Sequence, residues 1–277
     1  MLSTLSQAEP KQINVTWKRP PLYPKQLEAI FCPERYGIIE ASTKAGKTVG
    51  CLVWITEQAW MGKDGEEYWW VAPIYNQARI GFKRLKRALT RGTFEENEGR
   101  LSLKLLNGAV ISFKSADNPD SLYGEDVKAA VVDEASRCKE EAWFALRSTL
   151  TKTRGRVRII GNVKGRKNWS YALARKAESG EPDWRYSKLT AYDAVAGGVL
   201  KLAEIEDAKR TLPENVFREL YLAEPSDDGG NPFDLRAIRS CIGPLSSADP
   251  VVWGIDLAES VDWTVMIALD ASNRVVS

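Results

Sequence analysis

The stretch IIEASTKAGKTVG, residues 38–50, constrains this chain more than any other. A short apolar run over 36–42 leads into Gly-Lys-Thr, and the segment VGCLVWITEQAWM continues with helical spacing. A buried strand, a tight loop and a helix in that order make a cradle for phosphate. Gly46 lets backbone amides approach an anion, Lys47 brings a point charge for β- and γ-phosphates, and Thr48 offers a hydroxyl for Mg²⁺ at the helix start. The usual G-x-x-x-x-G-K-[ST] pattern is broken at its first glycine, where Ala41 stands. Taken alone, the stretch also reads as an accidental Gly-Lys-Thr at the start of an ordinary helix.

A second motif narrows that choice. AAVVDEAS ends an apolar run with Asp133 and Glu134. At the tip of a buried strand, Asp133 is suited to hold Mg²⁺ through water, and Glu134 to orient and deprotonate an attacking water. The alternative is an acid pair capping the next helix. A phosphate loop followed by such a strand predicts ATP hydrolysis. Upstream, LYPKQLEAIF offers Gln26, whose amide can read both edges of adenine, with Tyr23 stacking nearby; the bland reading is a helix start with proline in its first turn. Downstream, Gly161 and Asn162 end another apolar run, where they either sense the γ-phosphate and pass on its loss or form an ordinary turn.

Absent residue types exclude other chemistry. The 277 residues contain no histidine, which rules out Ser-His-Asp and Cys-His catalysis and any histidine-bearing metal site. The four cysteines, Cys32, Cys51, Cys138 and Cys241, are widely spaced, so reduced thiols are expected rather than a disulfide framework or a zinc ribbon. The N-terminus lacks a charged-then-apolar signal pattern, and no apolar run is long enough to cross a bilayer, so a cytoplasmic protein without membrane contact is expected.

Apolar runs of strand length alternate with helical patterns, mostly without two-residue hairpins. This predicts an α/β fold with a mostly parallel sheet covered by helices on both faces. Residues 100–115 are the exception, a hairpin turning at Asn107-Gly108. The expected organisation is an arm over 1–20, a P-loop core over 21–182, a small lid subdomain over 183–224, a Gly/Pro/Asp-rich linker over 225–248 and a new β-rich unit over 249–277. There a strand ends in Asp256, and Asp262 opens the next. A hairpin presenting Asp256 suits a metal-dependent nuclease core needing Mg²⁺ or Mn²⁺, and a carboxylate that merely caps a turn is the alternative. The sequence stops in what reads as mid-strand, so the expectation is that this unit is incomplete and that cleavage by this chain alone is doubtful.

A net charge of +2 conceals local blocks. Residues 142–177 hold Arg147, Lys152, Arg154, Arg156, Arg158, Lys164, Arg166, Lys167, Arg175 and Lys176 without one acid, and the predicted helix over 76–91 is likewise basic. Arg84, Arg87, Lys164, Arg166 and Lys167 are the candidate contacts to nucleic-acid phosphates. Solvated basic faces are the alternative.

The order LYPKQ, ASTKAGKT, VVDEAS, IIGN, an acidic Gly-rich linker and WGIDLAESVDW resembles the large terminase subunit of tailed bacteriophages. The resemblance runs from about residue 20 onward, through short motifs. It implies a P-loop NTPase of the RecA/ASCE type with a small lid subdomain, followed by the first strands of an RNase H-like nuclease. The implied activity is an ATPase that drives double-stranded DNA into a procapsid. The family's loop often lacks its first glycine, which answers the objection from Ala41. By motif match the ATP site comprises Tyr23, Gln26, Ser42, Thr43, Lys44, Ala45, Gly46, Lys47 and Thr48. Lys47 and Thr48 bind phosphate and Mg²⁺, Asp133 is the Walker B acid, Glu134 the catalytic base, Gly161-Asn162 the coupling motif and Asp256 the first nuclease carboxylate. Many members carry an arginine inside the loop. Here Thr43-Lys44 occupies that region, and an ammonium lacks the guanidinium's bidentate fork, so an arginine from a neighbouring subunit is expected. Implied partners are double-stranded DNA, the portal protein, the small terminase subunit and further copies in a ring on the procapsid, with a monomer in dilute solution. The implied location is the host cytoplasm, with transient docking on the procapsid and absence from the mature virion. A helicase-like ATPase and an inactive P-loop fragment acting as a binding module remain the alternatives.

Overall fold

The computed structural model describes residues 17, 19–225, 240–257 and 264–276. The chain divides into two compact units, Met1–Gly229 and Gly230–Ser277. In the first, the elements follow in the order α1 (Pro24–Ile30), β1 (Tyr36–Ala41), α2 (Lys47–Trp60), β2 (Glu67–Ala72), α3 (Tyr75–Ala88), β3 (Phe94–Asn97), β4 (Ser102–Leu105), β5 (Val110–Ser115), β6 (Val127–Val132), α4 (Glu140–Thr149), β7 (Arg156–Gly161), α5 (Trp169–Glu178), β8 (Trp184–Leu189), α6 (Ala191–Ala196), α7 (Leu202–Thr211) and α8 (Glu214–Leu222).

One eight-stranded sheet runs β3-β4-β5-β2-β6-β7-β1-β8. From β5 to β8 every neighbouring pair is parallel. β3, β4 and β5 form an antiparallel flap at one edge. Asn107-Gly108 makes the β4–β5 turn, with Gly108 at φ 83°. Asn107 also donates from Nδ2 to the carbonyls of Ala59, Trp60 and Gly62, satisfying acceptors at the end of α2. Sequence reading found the β4–β5 hairpin but not β3, whose residues FEEN are mostly exposed and lack an apolar face.

Period-two alternation divides the side chains of the central strands between two cores. Tyr68, Trp70 and Ala72 of β2 join Ile39, Ile30, Trp54 and Phe82 on one face. Trp69 and Val71 join Ile38, Ile159, Leu146 and Ala174 on the other. α1, α2 and α3 supply the first core and α4 and α5 the second. Burial on both faces explains why these strands are near-continuous apolar runs.

The expected lid boundary at 183 needs correction. β8 pairs with β1 in parallel register from Tyr36↔Trp184 to Ala41↔Leu189. β1 is buried along its whole length, so its free side needs a hydrogen-bonding partner, and β8 supplies it. The sheet therefore extends to Leu189. The helices that follow, α6 to α8, bury Ala191, Ile205, Ala208 and Phe217 in a small core of their own.

The second unit contains an antiparallel pair, β9 (Val252–Asp256) and β10 (Val265–Leu269), with Asp256 opposite Val265 at the strand end. Asp270 is buried and accepts from Ser246 Oγ and from the amides of Ser272 and Arg274, which draws its carboxyl down to about 2. Trp253, Ile255, Met266 and Ile267 are exposed. Asp262, residues 226–239 of the expected linker and nearly all of the expected arm lie outside the described residues. Among the described residues no cluster of three or more metal-ligating side chains forms, so Asp256 belongs to none there. Among them also, no helix is long and apolar enough to cross a membrane.

Candidate active site

The sheet order builds the site. β7 lies between β1, which carries the phosphate loop, and β6, which carries the acids. Three parallel strands thus deliver Lys47, Asn162 and Asp133-Glu134 to one edge. Lys47 is 7% exposed. Its Nζ donates to Asn162 Oδ1 at 2.6 Å and pairs with Glu134 Oε1 at 3.3 Å. Residues read as three separate motifs in the sequence meet on one ammonium group.

The loop's shape has a local cause. Gly46 sits at φ 84° and caps α2, and Lys44 also takes a left-handed backbone, at φ 57°. Tyr23 Oη donates to the Ala45 carbonyl at 2.7 Å, and Gln26 Nε2 donates to the Gly46 carbonyl at 2.7 Å. A trans peptide is planar with C=O and N–H opposed, so holding these two carbonyls toward α1 turns the amides of Gly46 and Lys47 away from it. Those amides and the positive end of α2 make an anion cradle. Ser42 is fully buried, and its amide donates to Leu189 O, extending the ladder with β8. Thr48 lies in the first turn of α2.

Tyr23 and Gln26, the expected adenine contacts, are engaged with the loop itself. Gln26 is 2% exposed and Tyr23 7%. Gln26 Oε1 accepts from the Tyr23 amide while Nε2 holds Gly46, so both ends of the side chain are engaged. Both residues brace the loop from behind. Gln26 also fills the space beside the glycines: a Cβ on Gly46 would come within 2.9 Å of its Nε2.

The acids follow β6 directly. The Asp133 amide donates to Val71 O, continuing the ladder with β2, and Asp133 Oδ1 accepts from the Glu134 amide at 3.1 Å. Burial, reinforced by the neighbouring Glu134, pushes the Asp133 carboxyl up to about 7, against the lowering pull of Lys47. Glu134 takes a left-handed backbone, φ 48° and ψ 47°, which costs a non-glycine residue about 1 kcal/mol or more. The turn is tied down by α5, since Asn168 Nδ2 donates to Ser136 O and Trp169 Nε1 to Cys138 O. Gly161 is needed here for a steric reason. A Cβ on it would meet the Ala135 amide nitrogen at 3.1 Å and the Glu134 backbone at 3.5 Å.

Most of the basic block serves the fold. Arg158 is fully buried, donating to the carbonyls of Ile30, Cys32 and Val157 and stacking over Trp54. Arg156 donates to Cys32 O and Pro33 O. Arg175 pairs with Glu40 and Glu178, Lys152 with Asp126 and Lys176 with Glu181. Lys164, Arg166 and Lys167 remain exposed on the loop after β7, and Arg84 and Arg87 are exposed on α3. Arg84 is near enough to lower the Asp133 carboxyl slightly. Sequence reading missed Arg158 and the buried Glu40, which accepts from Tyr186 Oη as well as pairing with Arg175. The visible signal was a charge at an inward position of an apolar strand. Cys32, Cys51 and Cys138 are buried free thiols and Cys241 an exposed one.

The family model for the N-terminal part of the T4likevirus-type terminase large subunit matches residues 38–240. That span contains the loop, the acids, the β7 tip and α6–α8. The chain belongs to the terminase large subunit family. The terminase large subunit of Thermus phage G20c is 32% identical over a match covering 78% of this chain and 53% of that protein. That of Escherichia phage T5 is 29% identical, covering 59% of this chain and 38% of that protein. The chain therefore spans about half or less of the length of these curated relatives. Among solved structures, the Thermus phage P74-26 large terminase ATPase domain superposes with a TM-score of 0.65 at 22% identity, covering 74% of this chain and 94% of that domain. The large terminase of a thermophilic bacteriophage, solved in complex with ADP, gives 0.64 at 14% identity and covers 91% of this chain and 66% of that one. These likenesses establish the terminase ATPase-domain fold.

Proposed function

We propose that this terminase chain is the ATP-hydrolysing motor of a viral DNA-packaging machine. The observation that carries the reading is the convergence of Lys47 on Glu134 and Asn162. A thermophilic-phage large terminase of this fold was solved in complex with ADP and with ATP-γ-S, which supports nucleotide binding by this chain.

In this reading the amides of Gly46 and Lys47 and the Lys47 ammonium hold the β- and γ-phosphates. Thr48 and Asp133 are hard oxygen donors, and two such ligands beside substrate phosphates suit Mg²⁺. The ion supplies charge neutralisation at the phosphates when bound. The Asp133 carboxyl, pushed up to about 7 by burial, would be ionised beside such an ion. The γ-phosphate draws Lys47 away from Glu134, freeing that carboxylate. A water oxygen then attacks the γ-phosphorus, its proton passes to Glu134, and the bond to the β-phosphate oxygen breaks to release ADP. Asn162, relieved of Lys47, reports the phosphate's presence to the loop it begins.

Lys44 is exposed on its left-handed backbone and reaches the solvent side of the loop. It stands where an arginine would stabilise charge in cis, and an arginine from a neighbouring copy completes the site in the ring. Arg84, Arg87, Lys164, Arg166 and Lys167 contact duplex phosphates without reading sequence. The portal protein, the small terminase subunit and the procapsid in the host cytoplasm complete the assembly, with a monomer in dilute solution. Asp256 begins a nuclease centre in the second unit.

The test is Mg²⁺-dependent ATP hydrolysis by this chain and by Glu134→Ala, with and without double-stranded DNA. Hydrolysis abolished by the substitution is expected. Stimulation by single strands but not by duplex favours a helicase-like ATPase instead, and absence of both binding and hydrolysis refutes the motor.

A further inference from the structure

α8 touches the phosphate loop and the coupling loop through two consecutive residues. The Leu220 carbonyl accepts from the Thr43 amide at 2.7 Å. The Glu219 carboxylate accepts from the Gly165 amide at 3.2 Å. Gly165 has φ 60°, a left-handed turn that glycine takes without strain, in the loop between β7 and α5. Three residues before it, Asn162 accepts from Lys47. The contacts close a circuit: Thr43, Leu220, Glu219, Gly165, Asn162, Lys47 and back along the loop to Thr43.

We propose that Glu219 is a positioning residue that makes α8 follow the state of the nucleotide site. The inference rests on the ATP-site reading above and deepens it. A phosphate on the loop draws the Lys47 ammonium towards its own charge and so lengthens the bond to the neutral Asn162 amide. The coupling loop then loses its tie to the P-loop side and keeps its tie to α8. A small cavity lined by Glu40, Ser136, Asn162, Val163, Lys164 and Tyr171 adjoins that loop. The loop's displacement reaches α8 at Glu219, while Leu220 anchors the same helix to Thr43. A helix held at adjacent residues by two loops that separate must turn or tilt.

Other ties carry that movement into the helical subdomain and limit it. Phe217, two residues before Glu219, stacks on Tyr221 at 5.2 Å and is part of the α6–α8 core. Beyond α8, Ala223 takes a left-handed turn, and Glu224 pairs with Arg218 and with Lys188 of β8. The C-terminal end of α8 is thus tied to the sheet, which leaves the N-terminal end of the helix as the end that moves. The Glu219 carboxylate strengthens its hold on the Gly165 amide through charge.

Hydrogen exchange of the full chain, with and without Mg²⁺ and a non-hydrolysable ATP analogue, tests the circuit. In the unsubstituted chain the analogue is expected to protect residues 43–48 and to change exchange in both 161–168 and 214–222. In Glu219→Ala the protection over 43–48 remains, the response of 214–222 disappears, and kcat falls about tenfold with nucleotide affinity unchanged, the scale of one lost hydrogen bond to a charged acceptor. Glu219→Gln keeps the acceptor oxygen and restores both the response and most of kcat. A response of 214–222 and a kcat in Glu219→Ala equal to those of the unsubstituted chain overturn the inference and leave the nucleotide site standing. No protection over 43–48 in the unsubstituted chain overturns the nucleotide-site reading and the inference with it.

Discussion

Gly161 stands where chemistry and packing meet. Its missing side chain lets the tip of β7 lie against the Glu134–Ala135 peptide, and an added Cβ would press on the Ala135 nitrogen at 3.1 Å. Glu134 is already held in a left-handed conformation, so the turn has little freedom to retreat except by moving its carboxylate. Gly161→Ala is expected to leave the thermal midpoint within a few degrees of the parent. It is expected to lower kcat by about 10- to 100-fold, because small displacements of a catalytic group carry penalties of that order. Steady-state kinetics beside a melting curve decides it. A parent-like kcat shows that the contact does not set the position of Glu134. At this scale the sequence was legible where spacing alone carried the signal. Lys47, Thr48, Asp133 and Glu134 are recognisable because a loop between strand and helix, and acids at a strand tip, occur in few other arrangements. Arg158 was not, because a buried guanidinium satisfied by carbonyls of the α1–β1 segment depends on contacts 123 to 128 residues away in the chain.

At the scale of elements, α1 holds the phosphate loop in its turn. Tyr23 and Gln26, three residues apart on the first turn, hold the carbonyls of Ala45 and Gly46. Side chains on another element thus impose the turn that Gly46 and the left-handed Lys44 then follow. The sequence pointed to these two residues through their nearness to the loop, but proximity cannot distinguish a residue that faces a base from one that faces the loop's backbone. Only the burial of Gln26 and the engagement of both its amide atoms separate the two. The distinction has a measurable form. If Gln26 reads adenine, Gln26→Ala changes preference between ATP and GTP. If it braces the loop, the substitution weakens both nucleotides alike, by about 1–2 kcal/mol or roughly 5- to 30-fold, the cost of leaving a buried carbonyl unpaired. The brace predicts an unchanged ATP-to-GTP ratio of dissociation constants, measurable by displacement of a fluorescent nucleotide. A ratio altered by more than the common loss restores the adenine role.

At the scale of the whole molecule, the two units differ in how much of their own surface they bury. Unit one contains two layered cores and every residue of the proposed nucleotide site. Unit two, in its described residues, contains a two-stranded sheet whose apolar side chains are largely exposed, an arrangement marginal in isolation. The parallel sheet was legible from alternating strand and helix patterns, but its order was not. No local pattern says that β7 inserts between β1 and β6, although that insertion brings Asn162 to Lys47. Because ligand binding stabilises only the unit that binds it, Mg²⁺ and ADP are expected to act selectively. At about 100 times the dissociation constant the gain is about 2.7 kcal/mol, which for a unit of this size corresponds to roughly 5–10 °C. Scanning calorimetry of the full chain should show the transition of unit one rising by that amount while any transition of unit two stays in place. Lys47→Ala should remove the shift, and it also lowers the unliganded midpoint because it leaves Glu134 and Asn162 without their ammonium partner. A shift that survives Lys47→Ala locates the binding elsewhere, and a shift shared by both units means that the nucleotide's effect crosses the boundary at Gly229–Gly230 and that the units respond as one.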